Sequence, residues 1–534
     1  MEKIKRVILV LTILFGAVNF QCSIFNVQSN AFAQKTDVDQ AMRKLNMAAI
    51  LTNVYYVDSV SLDRQVEDAI NGMLSKLDPH SQYSNAKDTK RMTESLEGSF
   101  EGIGVQFNML EDTLVVIQPV SKGPSERVGI LAGDRIVSVN DTAIAGVKMS
   151  REEIMSRLRG PKDTKVKLGI VRDGVKGISY FTVKRDKIPV NTLDAAYMVT
   201  PDIGLIRFSS FGQTTCDEVM QALDKLKAQG MTKLIVDLQQ NGGGLLGAAA
   251  EISSKFLPKG DTIVYTRGRN VPSQVFVSDG GKGWQEGKLA VLIDEYSASA
   301  AEILTGAIQD HDRGIVVGRR SFGKGLVQRP IDLPDGSMIR LTIARYYTPS
   351  GRCIQKPYTK GDQKGYSMDL INRYNSGELT HADSIHFPDS LRYRTRLGRT
   401  VYGGGGIMPD YFIPLDTTRY TKFYRELSAK SLVINANLRY LDKNRKKLTK
   451  AWPDFADFQA RYETPDEEID RLLKEGEKLK ITPADEEERQ KTIPLLKRSL
   501  KALAARDLWD MSEYFAIIYE DDPMVLKAVE LLGS

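Results

Sequence analysis

Residues 234–247 read LIVDLQQNGGGLLG, and this stretch decides the fold of the middle of the chain. Its apolar beginning, Leu234–Leu238, has the length and composition of a buried strand, and its glycines are typical of a tight turn. A helical pattern begins near Ala248. Similar apolar runs alternate with helical patterns on both sides, at Gly204–Phe208, Ala290–Ile293 and Gly314–Val317. This alternation predicts an α/β unit with a buried, largely parallel sheet.

The segments around this unit have other patterns. Residues 99–186 contain short β-strand patterns separated by turn signals, and residues 34–98 and 416–534 carry apolar residues at helical spacing. The sequence therefore predicts a multidomain α/β protein with a core at 187–415, a β-rich domain inserted before it, and N-terminal and C-terminal helical regions. The predicted elements of the β-rich domain are the helix Ser150–Leu158 and the strands Val105–Phe107, Leu114–Ile117, Arg135–Val139, Val166–Val171 and Ser179–Val183.

Composition limits the function. The chain of 534 residues is long enough for about three or four domains, and its 42% hydrophobic and 27% charged residues are values typical of globular proteins. The net charge of +6 is too small and too evenly spread to indicate nucleic acid, which we do not expect as a partner. Three cysteines exclude a disulfide framework and a cysteine-rich metal site, and four histidines leave few candidates for histidine-based catalysis.

The first 33 residues have the order of a secretory signal. Three basic residues within the first six precede an apolar run, Val7–Ala17, and Ala31–Ala33 offers a small-x-small cleavage site. The pattern predicts an exported protein, periplasmic or at the outer face of the inner membrane. Retention as an uncleaved anchor and lipid attachment at Cys22 are the alternatives. Cleavage leaves Cys216 and Cys353, and the sequence leaves open whether they pair.

The glycine run after the strand allows two uses. Gly242, Gly244 and Gly247 have the spacing of a dinucleotide-binding fingerprint. The acidic residue that should follow a second strand is missing, since Asp261 precedes the apolar stretch Thr262–Tyr265. The other use is to turn backbone N–H groups toward a developing oxyanion. We favour the second use and keep a dinucleotide enzyme as an alternative.

Ser299 and Lys324 each have a structural and a catalytic interpretation. Ser299 stands three residues before Glu302 at the start of a helical pattern, which is the spacing of a capping box. The same position suits a nucleophile, since a helix N-terminus stabilises negative charge and the neighbours Ala298 and Ala300 are small. Lys324 lies between two glycines, where burial would bring its pKa into the range of a general base. An exposed lysine on a glycine-rich turn is the alternative.

Several motifs in a fixed order resemble the carboxyl-terminal processing peptidases, also called tail-specific proteases. The resemblance runs from Leu77–His80 to about Asp410 and covers some three-fifths of the chain. The motifs that carry it are GIGV at 102–105, NGGGLL at 241–246, YSASAAE at 296–302, SFGKGLVQ at 321–328, ARYYTPSGR at 344–352 and GGGGIMPD at 403–410.

This resemblance implies a secreted serine endopeptidase with a ClpP/crotonase-like α/β core and a Ser–Lys dyad. It assigns Ser299 as the nucleophile and Lys324 as the general base, and it places Gln328 where the family has a glutamine that helps to position the lysine. The N–H groups of Gly243 and Ala300 would form the oxyanion hole. No metal, nucleotide or organic cofactor is implied.

The resemblance also implies that residues 99–186 form a PDZ domain. Protein or peptide substrates would bind there by their C-terminal tails, each adding as a strand to the edge of the sheet. The loop that would receive the terminal carboxylate consists of Gly102, Ile103, Gly104 and Val105. A catalytically inactive PDZ scaffold that binds peptides is the alternative function.

Two further expectations concern partners and departures from the family. The helices at 34–98 and 416–534 are natural surfaces for a homo-oligomer or for an activating or adaptor protein, and membrane association requires that the N-terminal segment be retained. The family often has Arg-Asn-x-Pro-Gly-Gly where this chain has Gln239–Gly244, so we expect a more flexible loop. The last ~120 residues match no part of the family pattern.

Overall fold

The computed structural model describes residues 37–533, so the predicted signal segment and Cys22 lie outside the described residues. Helices dominate the first described part of the chain. Asn85 caps the third of them by accepting the N–H of Asp88 at 2.9 Å. A short strand interrupts the predicted helical region and pairs with a distant strand, with Gln82 opposite Arg340, which local periodicity could not reveal. These elements are α1 (37–55), α2 (Leu62–Leu74), β1 (Gln82–Ser84) and α3 (Ala86–Glu97).

The β-rich domain is an antiparallel sheet inserted through a two-stranded neck. In the neck, Ser99 lies opposite Pro189 and Gly102 lies opposite Asp186. The main sheet has the strand order β3-β4-β5-β7-β8, with β6 on β5, and encloses its own apolar core. The elements are β2 (Ser99–Gly102), β3 (Val105–Leu110), β4 (Thr113–Pro119), α4 (Pro124–Arg127), β5 (Arg135–Val139), β6 (Thr142–Ala143), α5 (Arg151–Leu158), β7 (Lys165–Val171), β8 (Ser179–Lys184) and β9 (Asp186–Pro189).

The core contains a six-stranded sheet with the order β10-β11-β12-β15-β16-β21. All of its strands are parallel except the edge strand β10, which is antiparallel to β11, so the sheet has the predicted parallel character. The elements up to this sheet's fifth strand are β10 (Leu193–Met198), β11 (Ile203–Phe208), α6 (Thr215–Ala228), β12 (Lys233–Asp237), α7 (Leu246–Ser254), β13 (Thr262–Arg267), β14 (Gln274–Val277), β15 (Lys288–Ile293), α8 (Ala300–Asp310) and β16 (Ile315–Gly318).

A second sheet of the core, with the order β1-β18-β13-β14 and β17 on β18, carries the long antiparallel hairpin β17–β18. The stretch after this hairpin contains two short helices. The elements are β17 (Leu326–Asp332), β18 (Met338–Tyr347), α9 (Gln363–Ser367), α10 (Asp369–Asn375), the 3₁₀ turns Ala382–Ser384 and Asp389–Leu391, β19 (Arg392–Arg394), β20 (Thr400–Tyr402) and β21 (Tyr411–Phe412).

The C-terminal region is helical, and its last helix covers one face of the six-stranded sheet. Met524, Val525, Ala528 and Leu532 are buried there against β11, β12, β15 and β16. None of the helices between residues 37 and 533 is long and apolar enough to cross a membrane. The elements are α11 (Lys422–Ala429), α12 (Leu432–Ala451), α13 (Phe455–Arg461), α14 (Asp466–Lys478), α15 (Glu486–Leu508), α16 (Met511–Ile518), the 3₁₀ turn Tyr519–Asp521 and α17 (Pro523–Gly533).

Candidate active site

The candidate catalytic residues follow the carboxyl ends of three neighbouring parallel strands. Strand β12 pairs with β15, with Asp237 opposite Leu292, and β15 pairs with β16. The loops after these strands carry Gly243, Ser299 and Lys324 respectively. Because parallel strands run in one direction, their carboxyl ends lie at the same edge of the sheet, where α/β proteins bind ligands.

These loops open into one cavity of about 370 Å³. All five residues predicted for the dyad and the oxyanion hole line it: Ser299, Lys324, Gln328, Gly243 and Ala300. Much of the remaining lining is apolar, as is typical of ligand-binding pockets. The apolar lining residues are Met92, Leu96, Leu245, Leu246, Ile303, Leu326, Val327 and Pro330.

Ser299 lies in a strained turn between β15 and α8. Its backbone has φ 57° and ψ −113°, a conformation that costs a residue other than glycine about 1–3 kcal/mol. Gly243 packs directly against this turn. An added Cβ on Gly243 would lie 2.8 Å from Ser299 Cβ and 2.9 Å from the nitrogen of Ala300, so only glycine fits. The loop after β12 that contains Gly242–Gly244, here called the glycine loop, is therefore in contact with the turn that contains Ser299, here called the serine turn. The side chain of Ser299 is partly exposed and lines the cavity.

A buried carboxylate, Glu302, joins the serine turn to the lysine loop. One oxygen accepts the N–H groups of Ser299 and Lys324, each at 2.8 Å, and the other accepts the N–H of Gly323 at 2.7 Å and the hydroxyl of Ser321 at 2.5 Å. Burial raises the pKa of Glu302, and these hydrogen bonds oppose that rise. The sequence had predicted Glu302 only as the partner of a helix cap, and its second role depends on a contact that local spacing does not contain.

Lys324 has the environment of a lysine that can lose its proton. Its side chain is partly buried, and within residues 37–533 its ammonium group forms no salt bridge and no hydrogen bond. Burial lowers the pKa of Lys324, the positive charge of Arg340 lowers it further, and the charges of Glu302 and Asp78 oppose the shift. No hydrogen bond joins Lys324 to the Ser299 hydroxyl in this structure, and such contacts commonly tighten when substrate binds.

Gln328 lines the same cavity, but its side chain forms a hydrogen bond with Thr342 and none with Lys324. Its side-chain amide donates to the Thr342 hydroxyl at 3.2 Å, and Thr342 donates to Asp78 at 2.9 Å. Asp78 is buried and also accepts the hydroxyl of Ser81 at 2.5 Å. Asp78 and Ser81 thus support the wall of the cavity through Thr342, and a contact between Gln328 and Lys324 stays a prediction.

The two predicted oxyanion donors differ in this structure. The N–H of Ala300 has no acceptor among the described residues, as is usual in the first turn of a helix. The N–H of Gly243 donates to the side-chain oxygen of Asn241 at 2.9 Å. Asn241 is fully buried, and its side-chain amide donates to the backbone carbonyl of Phe208 at 2.8 Å. The backbone carbonyl of Asn241 accepts the N–H of Ala298 at 2.9 Å. The glycine loop is therefore fixed from two sides.

The glycine loop is bound by an arginine from another strand, although position 239, where the family often has arginine, is glutamine in this chain. Arg207 on β11 donates to the carbonyl of Gln239 at 3.0 Å and to the carboxylate of Asp237 at 2.6 Å. Asp237 accepts the Gln239 N–H at 2.9 Å, and Asp294 accepts that of Gln240 at 3.0 Å. The expected flexibility of the loop is therefore countered by buried polar contacts. Asp237, at the end of a buried strand, was the sequence signal that could have pointed to them.

The β-rich domain has a groove between β3 and α5. Its cavity of about 310 Å³ is lined by Ile103, Gly104 and Val105, while Gly102 ends β2 and does not line it. The N–H groups of Ile103 and Gly104 have no acceptor among the described residues, so a carboxylate could take both. Gly104 has φ 71°, and an added Cβ would lie 2.9 Å from the side chain of Ile188.

The two cysteines of the described region do not pair. Cys216 is buried in α6, and Cys353 is half-buried after β18. Burial raises the pKa of both thiols, which keeps them protonated and unreactive.

Models of four known families match parts of this chain. Peptidase family S41 matches residues 202–364, and the PDZ domain matches residues 102–177. The N-terminal domain of the activating protease CtpB matches residues 16–89, and a family of unknown function matches residues 423–510.

Two relatives from Bacillus subtilis (strain 168) are similar over most of their length. The carboxy-terminal processing protease CtpA is 34% identical over 353 residues, which are 64% of this chain and 74% of that protein. The carboxy-terminal processing protease CtpB is 32% identical over 392 residues, 71% of this chain and 80% of that protein. Among solved structures, a photosystem II D1 C-terminal processing protease is 25% identical, with a TM-score of 0.34 over 68% of this chain and 85% of that one.

Proposed function

This chain belongs to the carboxy-terminal processing proteases, and we propose that it is an exported serine endopeptidase that binds the C-terminal tails of protein substrates and cleaves them with a Ser299–Lys324 dyad. Its core is then of the ClpP/crotonase-like kind. The signal pattern of the first 33 residues supports a location in the periplasm or at the outer face of the inner membrane.

The observation that carries this proposal is the shared cavity. A partly exposed serine in a strained turn and a lysine without a charge partner line the same apolar space, and Glu302 ties their backbones together. A structural cap explains the contact between Glu302 and the Ser299 N–H, but it needs neither the strained backbone of Ser299 nor a lysine in the same cavity. A solvated surface lysine would not line this cavity beside the serine. The combination is the arrangement of a nucleophile and its base.

Acylation begins with the transfer of one proton. The neutral amine of Lys324 takes the hydroxyl proton of Ser299, and the serine oxygen attacks the scissile carbonyl carbon of the substrate. The carbonyl oxygen becomes an oxyanion at the start of α8, where the free N–H of Ala300 and the helix N-terminus stabilise it. For Gly243 to serve as second donor, its N–H must exchange Asn241 for the oxyanion.

Collapse of the tetrahedral intermediate breaks the peptide bond and leaves Ser299 as an ester. The ammonium of Lys324 returns its proton to the leaving amine, so the lysine is neutral again. It then takes a proton from water, which attacks the ester, and gives that proton back to the serine oxygen. The products are two peptides and unchanged enzyme.

Tail recognition is assigned to the groove between β3 and α5. An extended peptide adds antiparallel to β3, and its terminal carboxylate accepts the free N–H groups of Ile103 and Gly104. Its last side chain enters the apolar space lined by Met155 and Leu158.

We expect amidation of a substrate's C-terminus to slow its cleavage by about ten- to hundredfold at subsaturating concentration, because the amide lacks the charge that these N–H groups would bind. The measurement is cleavage of one unfolded polypeptide with an apolar tail by the chain lacking residues 1–33. The N-terminally acetylated substrate is the control for a lost terminal charge. Equal rates for all forms would contradict tail recognition, and no cleavage of any form would contradict the peptidase itself.

The groove also holds a cation that should select among tails. Arg151, the first residue of α5, lies 5.3 Å from the ring centre of Phe107 and forms no salt bridge or hydrogen bond with the described residues. Arg159, at the other end, is paired with Glu94 at 2.7 Å. Phe107 is two residues beyond Val105 on the same face of β3. The substrate residue two places before the last therefore faces Arg151.

A substrate with Glu at that position is expected to be cleaved about three- to tenfold faster than one with Lys, and Arg151→Glu should reverse the order. The effect is modest because Arg151 is exposed to solvent. Lys165→Glu makes the same charge change on β7 of the domain, away from the groove, and should keep the wild-type order. An unchanged preference in Arg151→Glu would show that this arginine does not read the tail.

A further inference from the structure

The last part of the C-terminal region is built into the core. The hydroxyl of Ser512 on α16 accepts the N–H of Ala196 on β10 at 3.1 Å. Lys288 at the start of β15 donates to the carbonyl of Leu532 at 3.2 Å. Between these contacts, α17 buries apolar side chains against the sheet whose strand ends carry the active site.

One residue of this part, Tyr519, reaches a buried ion pair beneath the glycine loop. Its hydroxyl donates to the carboxylate of Asp237 at 2.7 Å and accepts from Arg207 at 2.8 Å. The exposed fractions are 0% for Asp237, 6% for Arg207 and 9% for Tyr519. Phe515 also contacts the pair, with its ring centre 4.7 Å from the Arg207 guanidinium. Such charge-assisted hydrogen bonds are strong because water does not compete for them.

Tyr519, Asp237 and Arg207 form a triad that holds the glycine loop near its start, at Gln239. Asp237 accepts the N–H of Gln239, and Arg207 donates to the carbonyl of the same residue. Both polar backbone groups of Gln239 are therefore occupied by residues that Tyr519 contacts. Two residues further on, Asn241 accepts the N–H of Ala298, next to the nucleophile.

The hydroxyl of Tyr519 is a reliable donor in this place. Burial and the negative charge of Asp237 raise the pKa of Tyr519 well above its ordinary value, which keeps the phenol protonated. Without it, Asp237 would keep a single side-chain donor, Arg207. The carboxylate could then turn, and its hold on Gln239 would loosen.

We propose that Tyr519 is a positioning residue of the peptidase site, and that the C-terminal region serves catalysis by holding the Asp237–Arg207 pair, and with it the Gln239–Gly243 loop, in register with Ser299. A family of unknown function matches residues 423–510, and Tyr519 lies nine residues beyond the end of that match. The proposal rests on the proposed function, since it assumes that this loop contributes to the oxyanion hole.

The test compares Tyr519→Phe with Tyr424→Phe in the chain lacking residues 1–33. Both variants lose one buried or half-buried hydroxyl of the C-terminal region, and that of Tyr424 contacts only Ser499, at 2.7 Å. We expect Tyr519→Phe to lower kcat about ten- to hundredfold with KM within about twofold, since small displacements of a site cost this much. Tyr424→Phe should keep the wild-type kcat at a similar melting temperature.

Arg207→Lys is a second variant, which keeps the charge beside Asp237 and removes the bond to the Gln239 carbonyl. This variant should also lower kcat by a larger factor than the factor by which it raises KM. Equal kcat in Tyr519→Phe and Tyr424→Phe, or a change in KM alone, would overturn the positioning role. Because wild type is measured beside them, an inactive wild type would instead overturn the proposed function.

Discussion

Ser299→Ala is expected to lower kcat on the order of 10⁶-fold while the protein stays folded, because no other group of the cavity can form the acyl-enzyme. Water would have to attack the substrate directly, without the covalent step that divides the reaction. The lost hydroxyl is partly exposed and takes part in a capping box with the backbone of Glu302, so its removal should cost only about 1 kcal/mol of stability and leave the variant folded. The measurement is hydrolysis of an unfolded protein with an apolar C-terminus.

Ser297→Ala is the control that separates the two serines of this turn. The hydroxyl of Ser297 is buried and donates to the carbonyl of Leu238 at 2.8 Å, so its loss should cost about 1–3 kcal/mol of stability. Catalysis should survive, since this hydroxyl does not face the cavity. If wild type and Ser299→Ala hydrolyse the substrate equally slowly yet bind its tail, the chain is the inactive PDZ scaffold.

The core strands could be predicted from the sequence because their signal is local. The strand predicted at Leu234–Leu238 is Lys233–Asp237 in the structure, and that predicted at Gly314–Val317 is Ile315–Gly318. Each is a short apolar run bounded by turn residues. A run of this length and composition is typical of a strand of a parallel sheet that is buried on both faces. The ends shift by a residue, since hydrogen bonds to neighbouring strands decide where pairing stops.

The supports of the active site could not be predicted, because they connect residues that are distant in the sequence. Glu302 was assigned to a local cap, yet its carboxylate also holds the loop that carries Lys324. The arginine missing at position 239 suggested a loose loop, yet Arg207 supplies a guanidinium from another strand, and Tyr519 completes that contact from the far end of the chain. Only the folded chain brings these groups together.

Lys324→Ala is expected to lower kcat/KM about 10²- to 10⁴-fold, the usual contribution of a general base. The alanine removes the group that accepts the Ser299 proton, whereas the Glu302 contacts that shape the loop involve only backbone atoms of residue 324 and remain. Hydrolysis by the variant is measured beside wild type at several pH values. A variant with wild-type activity would show that another group is the base.

The pH profile of the wild type tests the same assignment without removing the lysine. A lysine acts as a base only when neutral, so activity is present above its pKa and lost as the pH falls through it. Because burial lowers the pKa of Lys324, the acidic limb of kcat/KM should lie below the pH at which a free lysine titrates. On this limb, the logarithm of kcat/KM should rise with pH with a slope of about one, as expected for the loss of a single proton.

Arg340→Gln should move this acidic limb to higher pH. The positive charge of Arg340 lowers the pKa of Lys324, so its removal lets the ammonium form persist to higher pH and leaves less neutral base at neutrality. Arg345→Gln is the matched control, because it removes an exposed arginine from the same strand that does not affect the Lys324 pKa. A limb that moves equally in both variants would report the net charge of the protein, and a limb that moves in neither would belong to a group other than Lys324.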